Sequence, residues 1–128
     1  MNTENMLALA NFIEKGQDAL FFELDTWGNC GSCNTYACIA GHEYIRNHGV
    51  ESFRLAIEQG GVLIPSVKES LGLDDEEANG LFLPWSAGHN AGMVDQDKAA
   101  SVLRWAAHFG KVDARCWDMA RKGLEAPR

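Results

Sequence analysis

Residues 35–47 read TYACIAGHEYIRN, and this stretch decides the fold. Thr35 is a favourable helix N-cap, and Gly49 follows the last turn, where a glycine commonly ends a helix. Small residues between them, including Ala37 and Gly41, let a neighbouring element approach the backbone closely. The pattern predicts a helix over about residues 35–47 at the centre of the fold, packed through Ala37, Cys38 and Gly41.

Helical spacing continues on both sides of this stretch. Met6, Leu9 and Ile13 recur at intervals of three and four residues, as on the buried face of an amphipathic helix. Ser66 with Glu69, and Asp74 with Glu77, each match the capping box that begins a helix. Besides the central helix, the predicted helices span about residues 4–15, 51–59, 66–72, 95–109 and 113–123. One more predicted helix begins at Asp74.

One short segment reads differently. Leu20, Phe22 and Leu24 alternate with other residues at the period of a strand, but no second strong strand is visible to pair with them. We therefore predict an extended connector there and a long loop over residues 83–94. Together the patterns predict a compact all-α single domain over residues 1–128, with about six helices around a central small-residue helix and one short extended segment.

Charge is divided unevenly along the chain. Residues 1–97 hold 15 acidic and 4 basic residues, a net charge of −11, whereas residues 98–128 hold 3 acidic and 7 basic residues, a net charge of +4. An acidic surface repels nucleic-acid phosphates and anionic membranes, so neither is expected as a partner. A basic protein surface is the expected partner, and the oligomeric state is left open.

The first residues lack the basic segment of a secretory signal, and no apolar run approaches the length of a membrane span. We expect a cytoplasmic protein whose thiols stay reduced. In that compartment, a tight cysteine cluster is more often a metal or redox site than a disulfide staple.

Cys30, Cys33, Cys38 and His42 form such a cluster. Thiolate and imidazole are the ligands that Zn²⁺ prefers, and a cysteine and a histidine four residues apart share one helix face. The spacing is not one of the common zinc-finger patterns. Zinc, simple packing of the thiols with no cofactor, and redox chemistry of the Cys30–Cys33 pair all stay open.

No catalytic set stands out. Cys38 or Cys33 with His42 as a base would need an orienting acid, and the neighbouring Glu43 points about a quarter turn away. Cys116 falls within a helical pattern, where burial is expected. We therefore predict no catalytic residues.

The candidate partner-binding residues lie in the acidic run and in the long loop: Asp74, Asp75 and Glu76, with Trp85 and His89. Each residue also has a local explanation. Carboxylates in the first turn of a helix interact favourably with its dipole, a tryptophan often borders the core, and a loop histidine is usually solvated.

Four blocks of the chain stand out as motifs: Phe22-x-Leu24-x-x-Trp27, the stretch from Cys33 to His42, the Leu71-Gly72-Leu73 and Leu81–Pro84 pair, and Ala99 to Asp113. In these blocks the chain resembles a family of small uncharacterised bacterial and phage proteins. The resemblance covers most of residues 20–113. It departs from the family at Asn34, where the family has glycine, at Cys30, which has no counterpart, and at His42, where the family accepts tryptophan.

The resemblance implies a phage or mobile-element setting and no particular activity. The sequence thus predicts a small acidic non-enzymatic protein that binds a basic protein partner, for example as an inhibitor or an anti-defence factor. The alternative is a zinc-binding or thiol-redox protein that uses Cys30, Cys33, Cys38 and His42.

Overall fold

The computed structural model describes residues 1–16, 20–22, 29–30, 35–59, 63–83 and 96–127. Most of these residues are helical, so the predicted all-α class is confirmed, with seven helices in this part of the chain. The helices are α1 (Thr3–Lys15), α2 (Ile39–His48), α3 (Val50–Gln59), α4 (Leu63–Leu71), α5 (Asp75–Phe82), α6 (Gln96–Phe109) and α7 (Ala114–Arg121).

Local chemistry sets several helix ends as predicted. Asp74 caps α5 in a reciprocal capping box with Glu77, and Asp113 caps α7 by accepting from the backbone N–H of Arg115. At the start of α1 the cap is Asn2, whose side chain accepts from the backbone N–H of Asn5. Polar side chains thus satisfy amide groups that a helix start leaves without an internal partner.

The central helix starts later than its sequence predicts. Thr35 was expected to cap it, but residues 35–37 form a strand, β3, and Cys38 stands at the N-cap of α2. Thr35 and Tyr36 are residue types that favour strands, and β3 has partners on both sides. Cys38 and Gly41, through which the helix was predicted to pack, are both buried. The side chain of Ala37, the third predicted packing residue, lies outside the described part.

A small sheet replaces the expected unpaired connector. Strand β1 (Leu20–Phe22) pairs in parallel with β3 (Thr35–Ala37), and β2 (Asn29–Cys30) pairs with β3 in the antiparallel direction. The expectation that no second strand would pair with residues 20–24 was therefore wrong. Its partner was missed because β3 is only three residues long and reads as the start of a helix.

Helix α4 contains a proline in its first turn. The sequence predicted a helix that begins at Ser66, but α4 already begins at Leu63 and contains Pro65. A proline is tolerated there because first-turn amides have no intrahelical acceptor. Ser66 consequently lies inside the helix and does not form the predicted capping box with Glu69.

The core lies between α1, α6 and α7 on one side and α2, α4 and α5 on the other. Helices α1 and α6 share the most extensive contact, while α2 packs against α1, α3, α4, α5 and β3, in agreement with its predicted central position. Trp117 is fully buried and donates its indole N–H to the Gly80 carbonyl at 2.8 Å. None of the described helices is both long and apolar enough to cross a membrane.

Candidate functional site

The junction between β3 and α2 holds two members of the predicted cysteine–histidine cluster. Cys38 and His42 are buried, and the His42 Nδ1 lies 2.9 Å from the Cys38 carbonyl oxygen. A carbonyl only accepts, so Nδ1 is the donor in this hydrogen bond. The edge of the His42 ring also meets Phe12, with ring centroids 6.2 Å apart.

Burial controls the chemistry of the Cys38 thiol. Removal from water raises the pKa of Cys38, and backbone N–H groups at the start of α2 counteract this only in part. The thiol is therefore protonated at neutral pH. A protonated thiol is a poor nucleophile, so the environment of Cys38 does not favour the cysteine–histidine nucleophile considered from the sequence.

The other two members of the cluster are described less fully. Cys30 lies in β2 with its Cα opposite Thr35. Because β3 runs from Thr35 toward Cys38 at a rise of about 3.3 Å per residue, that pairing leaves about 10 Å along the strand direction between Cys30 and Cys38. Cys33 and the side chain of Cys30 lie outside the described residues, so the four-residue zinc site stays a prediction. Among the side chains that are described, no three potential ligands converge.

The predicted partner-binding residues divide in the same way. Asp74, Asp75 and Glu76 are exposed at the start of α5, whereas Trp85 and His89 lie outside the described residues. Asp74 is engaged as the cap of α5, and Asp75 forms an ion pair with Lys68 that lowers the pKa of the Asp75 carboxyl. Glu76, the third of these residues, takes part in neither the capping box nor the ion pair.

The acidic surface is wider than the sequence motif. Exposed carboxylates also stand on α3 and α4, at Glu51, Glu58 and Glu69. On α3, Glu51 and Glu58 are four residues before and three residues after Leu55, so they lie on the same side of the helix. Leu55 is 55% exposed, the most exposed of the large hydrophobic side chains in the described part. We call the exposed residues Glu51, Leu55, Glu58, Glu69, Asp74 and Glu76 the acidic face.

A buried carboxylate was missed by the sequence reasoning. Glu43 is fully buried, and its two carboxylate oxygens accept from Nε and Nη2 of Arg46 at 2.6 and 3.1 Å. The Ser70 hydroxyl on α4 donates to Glu43 Oε2 at 2.7 Å and in turn accepts from Asn47. The spacing of Glu43 and Arg46 on one helix was the available signal, but it gave no indication that the pair is buried.

The same residues join three helices. Asn5 on α1 donates to the backbone carbonyl of Ser70 at 2.8 Å, while the Ser70 hydroxyl binds Glu43 on α2. The carboxylate is thus surrounded by donors and satisfied within the protein. Such a network orients helices; it offers no unsatisfied group for acid–base chemistry.

Comparisons with protein-family models, with curated proteins and with solved structures found no significant match to this chain.

Proposed function

We propose that this protein acts by binding, without catalysis, and that its acidic face receives a basic segment of a protein partner. The observation that carries the proposal is the imbalance of exposed charge on α3, α4 and α5. A cytoplasmic setting and a phage or mobile-element origin, as an inhibitor or anti-defence factor, belong to the same proposal and rest on the sequence.

Pairing inside the molecule accounts for part of the charge. Lys68 on α4 is paired with Asp75 on α5, and Arg46, near the end of the neighbouring α2, is paired with the buried Glu43. That leaves Arg54 as the exposed base on these three helices, against the carboxylates of the acidic face: Glu51, Glu58, Glu69, Asp74 and Glu76. A surface with this excess attracts cations and speeds encounter with a basic partner.

Leu55 supplies an apolar contact among these carboxylates. A protein interface usually combines an apolar centre with a charged rim, and most of its binding energy comes from a few residues near the centre. An exposed leucine with a carboxylate on either side along the helix matches that plan. The preferred partner segment therefore carries an apolar residue between lysines or arginines.

The described thiols and the buried acid support a role without catalysis. Burial raises the pKa of both Cys38 and Cys116, which keeps the two thiols protonated. Glu43 is held by Arg46 and Ser70. Each of these three described groups is thus engaged in packing or hydrogen bonding.

Charge reversal on the acidic face tests the proposal. We expect Glu51→Lys, Glu58→Lys and Glu76→Lys together to slow association with a synthetic amphipathic lysine–leucine peptide by about tenfold at low salt, because charges at the rim of an interface chiefly set the association rate. Leu55→Ser should mainly speed dissociation. Surface plasmon resonance at several salt concentrations measures both rates.

The matched control reverses exposed carboxylates elsewhere. Glu4→Lys with Asp97→Lys and Glu125→Lys changes the net charge by the same amount at exposed positions outside the acidic face. An equal loss of association rate in the two triple variants would mean that only net charge acts, and the acidic face would then not be the binding site.

Zinc binding is a second proposal, favoured by the hydrogen bond that the His42 ring makes. Histidines that bind metal commonly donate the other ring N–H to a carbonyl, as His42 Nδ1 does to Cys38. Nε2 would then be the nitrogen that binds the ion, together with the sulfur atoms of the cluster. The protonated Cys38 thiol would have to lose its proton on binding.

Elemental analysis of protein purified without chelators tests the zinc proposal. We expect one zinc per chain and its loss in both Cys33→Ser and His42→Ala, with a lower melting temperature in each. Cys116→Ser is the control, because Cys116 lies on α7 and is not a member of the cluster. Metal-free protein with a Cys30–Cys33 disulfide would instead indicate thiol–disulfide redox chemistry.

A further inference from the structure

The segment that follows α7 turns back and crosses α6. We call residues 122–127 the strap. Gly123, with a φ of +74°, ends α7, and the backbone N–H of Leu124 bonds to the Met119 carbonyl. The Leu124 carbonyl then accepts from two side chains of α6, the Trp105 indole at 2.9 Å and the Ser101 hydroxyl at 3.3 Å.

Few contacts hold the strap in place. All of its residues are exposed except Ala126, which is half-buried and packs against the core. Its side-chain hydrogen bonds from α6 converge on one carbonyl oxygen. A segment with so little buried apolar surface opens more easily than the domain unfolds.

Open clefts flank the strap on both sides. One, of about 440 Å³, is bordered by Asp97, Lys98 and Ser101. The other, of about 410 Å³, is bordered by Leu7, Ala107 and His108. Arg104 and Ala126 line both clefts, so the strap forms the wall between them. Removal of the strap would join the clefts into one groove along α6.

The floor of this groove is ordered without the strap. Arg104 donates to both carboxylate oxygens of Glu14 on α1, at 2.6 and 3.1 Å, and to Asn11 at 3.0 Å. These bonds join α1 to α6 and do not involve the strap. The groove is therefore preformed, as binding sites usually are.

The strap itself indicates what the groove accepts. The Leu124 carbonyl accepts from Trp105 and Ser101, and the Glu125 carboxylate borders the cleft that also contains Lys98. Ala126 adds a small apolar side chain. We propose that the strap covers a peptide-binding groove, and that an extended peptide of the same character, Leu-Glu-Ala-Pro or a close equivalent, displaces it. This groove is distinct from the acidic face and does not depend on the function proposed for it.

Exchange of indole N–H protons, measured by NMR on the full chain, tests whether the strap opens. The Trp105 indole is bonded to the strap, whereas the Trp117 indole is bonded to Gly80 in the core and is the internal control. We expect Trp105 to exchange at least about tenfold faster than Trp117. Ala126→Asp, which places a charge at the one packed position of the strap, should speed Trp105 further and leave Trp117 unchanged.

A synthetic peptide with the sequence of residues 122–128 tests the groove. It should bind the Ala126→Asp variant at least about tenfold more tightly than the wild-type chain, because the wild-type groove is occupied by its own strap. A scrambled peptide should bind neither chain. Gln59→Glu, which adds one negative charge at an exposed site on α3, should behave like wild type.

The proposal fails on either of two results. Equal exchange rates for Trp105 and Trp117 would show that the strap opens only when the whole domain unfolds. Faster exchange at Trp105 without saturable binding of the peptide to Ala126→Asp would show that the opened region is no peptide site.

Discussion

At the scale of single residues, Glu43 illustrates how a charged side chain is accommodated in the core. A buried carboxylate is unfavourable unless charged partners and hydrogen bonds surround it. Arg46 supplies the charge and Ser70 supplies a further donor. Removal of one of these groups therefore leaves the remaining groups without a hydrogen-bond or charge partner.

Glu43→Gln should lower the free energy of unfolding by about 1.5–3 kcal/mol, the range for a lost hydrogen bond to a charged group. The amide keeps the shape of the side chain but leaves Arg46 without its counter-charge. Urea denaturation measures the effect. Ser70→Ala also removes a bond to this carboxylate but preserves the ion pair, so its effect should be the smaller of the two. A Glu43→Gln variant as stable as wild type would show that the pair contributes nothing.

Asp113 makes stability depend on pH. Burial tends to raise the pKa of Asp113, but hydrogen bonds and charge from Arg115, with Lys111 nearby, outweigh it and hold the pKa below the ordinary value. A carboxyl whose pKa is lowered by folding stabilises the protein above its ordinary pKa of about 3.9, and this stabilisation is lost as the pH falls through the lower, folded value.

Asp113→Asn isolates this charge because asparagine is an equally good N-cap. At pH 7 the variant should be less stable by about 0.5–1 kcal/mol, the range of a partly exposed ion pair. The difference should vanish in acid, below the folded pKa of Asp113. Thermal denaturation at several pH values measures it, and a difference that does not change with pH would exclude the ion pair as its cause.

At the scale of elements, the glycines that end helices differ in what surrounds them. Gly49 and Gly72 both have positive φ, +87° and +65°. A Cβ at Gly49 would meet nothing within 4 Å, whereas one at Gly72 would lie 2.8 Å from the backbone nitrogen of Asn2. That nitrogen is itself bonded to the Leu71 carbonyl at 2.8 Å.

Gly49→Ala should destabilise the protein by about 1–3 kcal/mol, because φ of +87° with ψ of 169° is a backbone conformation that only glycine adopts readily. Gly72→Ala should be worse, because it also pushes Met1 and Asn2 off the end of α4. Denaturant midpoints compare the two variants directly. Equal losses of stability in the two variants would show that Met1 and Asn2 move aside without a further loss of free energy.

At the scale of the whole molecule, Cys38 and Cys116 report on global unfolding. They lie on different elements, both are buried, and burial raises the pKa of each thiol. A disulfide reagent should modify them only as fast as the domain unfolds, with similar rates at the two sites. Mass spectrometry of modified peptides distinguishes the sites. Rapid modification of Cys38 alone would reveal local opening at the β3–α2 junction.

The helical content, many helix ends and the uneven charge were predictable from the sequence. Helix periodicity, the caps at Asp74 and Asp113 and the glycine stops all depend on residues within four positions of one another. Such interactions are the same in any fold that contains the segment. The acidic character of α3 to α5 follows from composition alone.

The tertiary structure decided what distant residues do to one another. Residues 35–37 became a strand because β1 and β2 flank them, against the local helical pattern. Glu43 is buried with Ser70, 27 positions away, lying against it, and Arg104 on α6 is joined to Glu14 on α1 across 90 positions. Periodicity carries no information on such pairs, since the burial and partners of a side chain are fixed only when the helices pack.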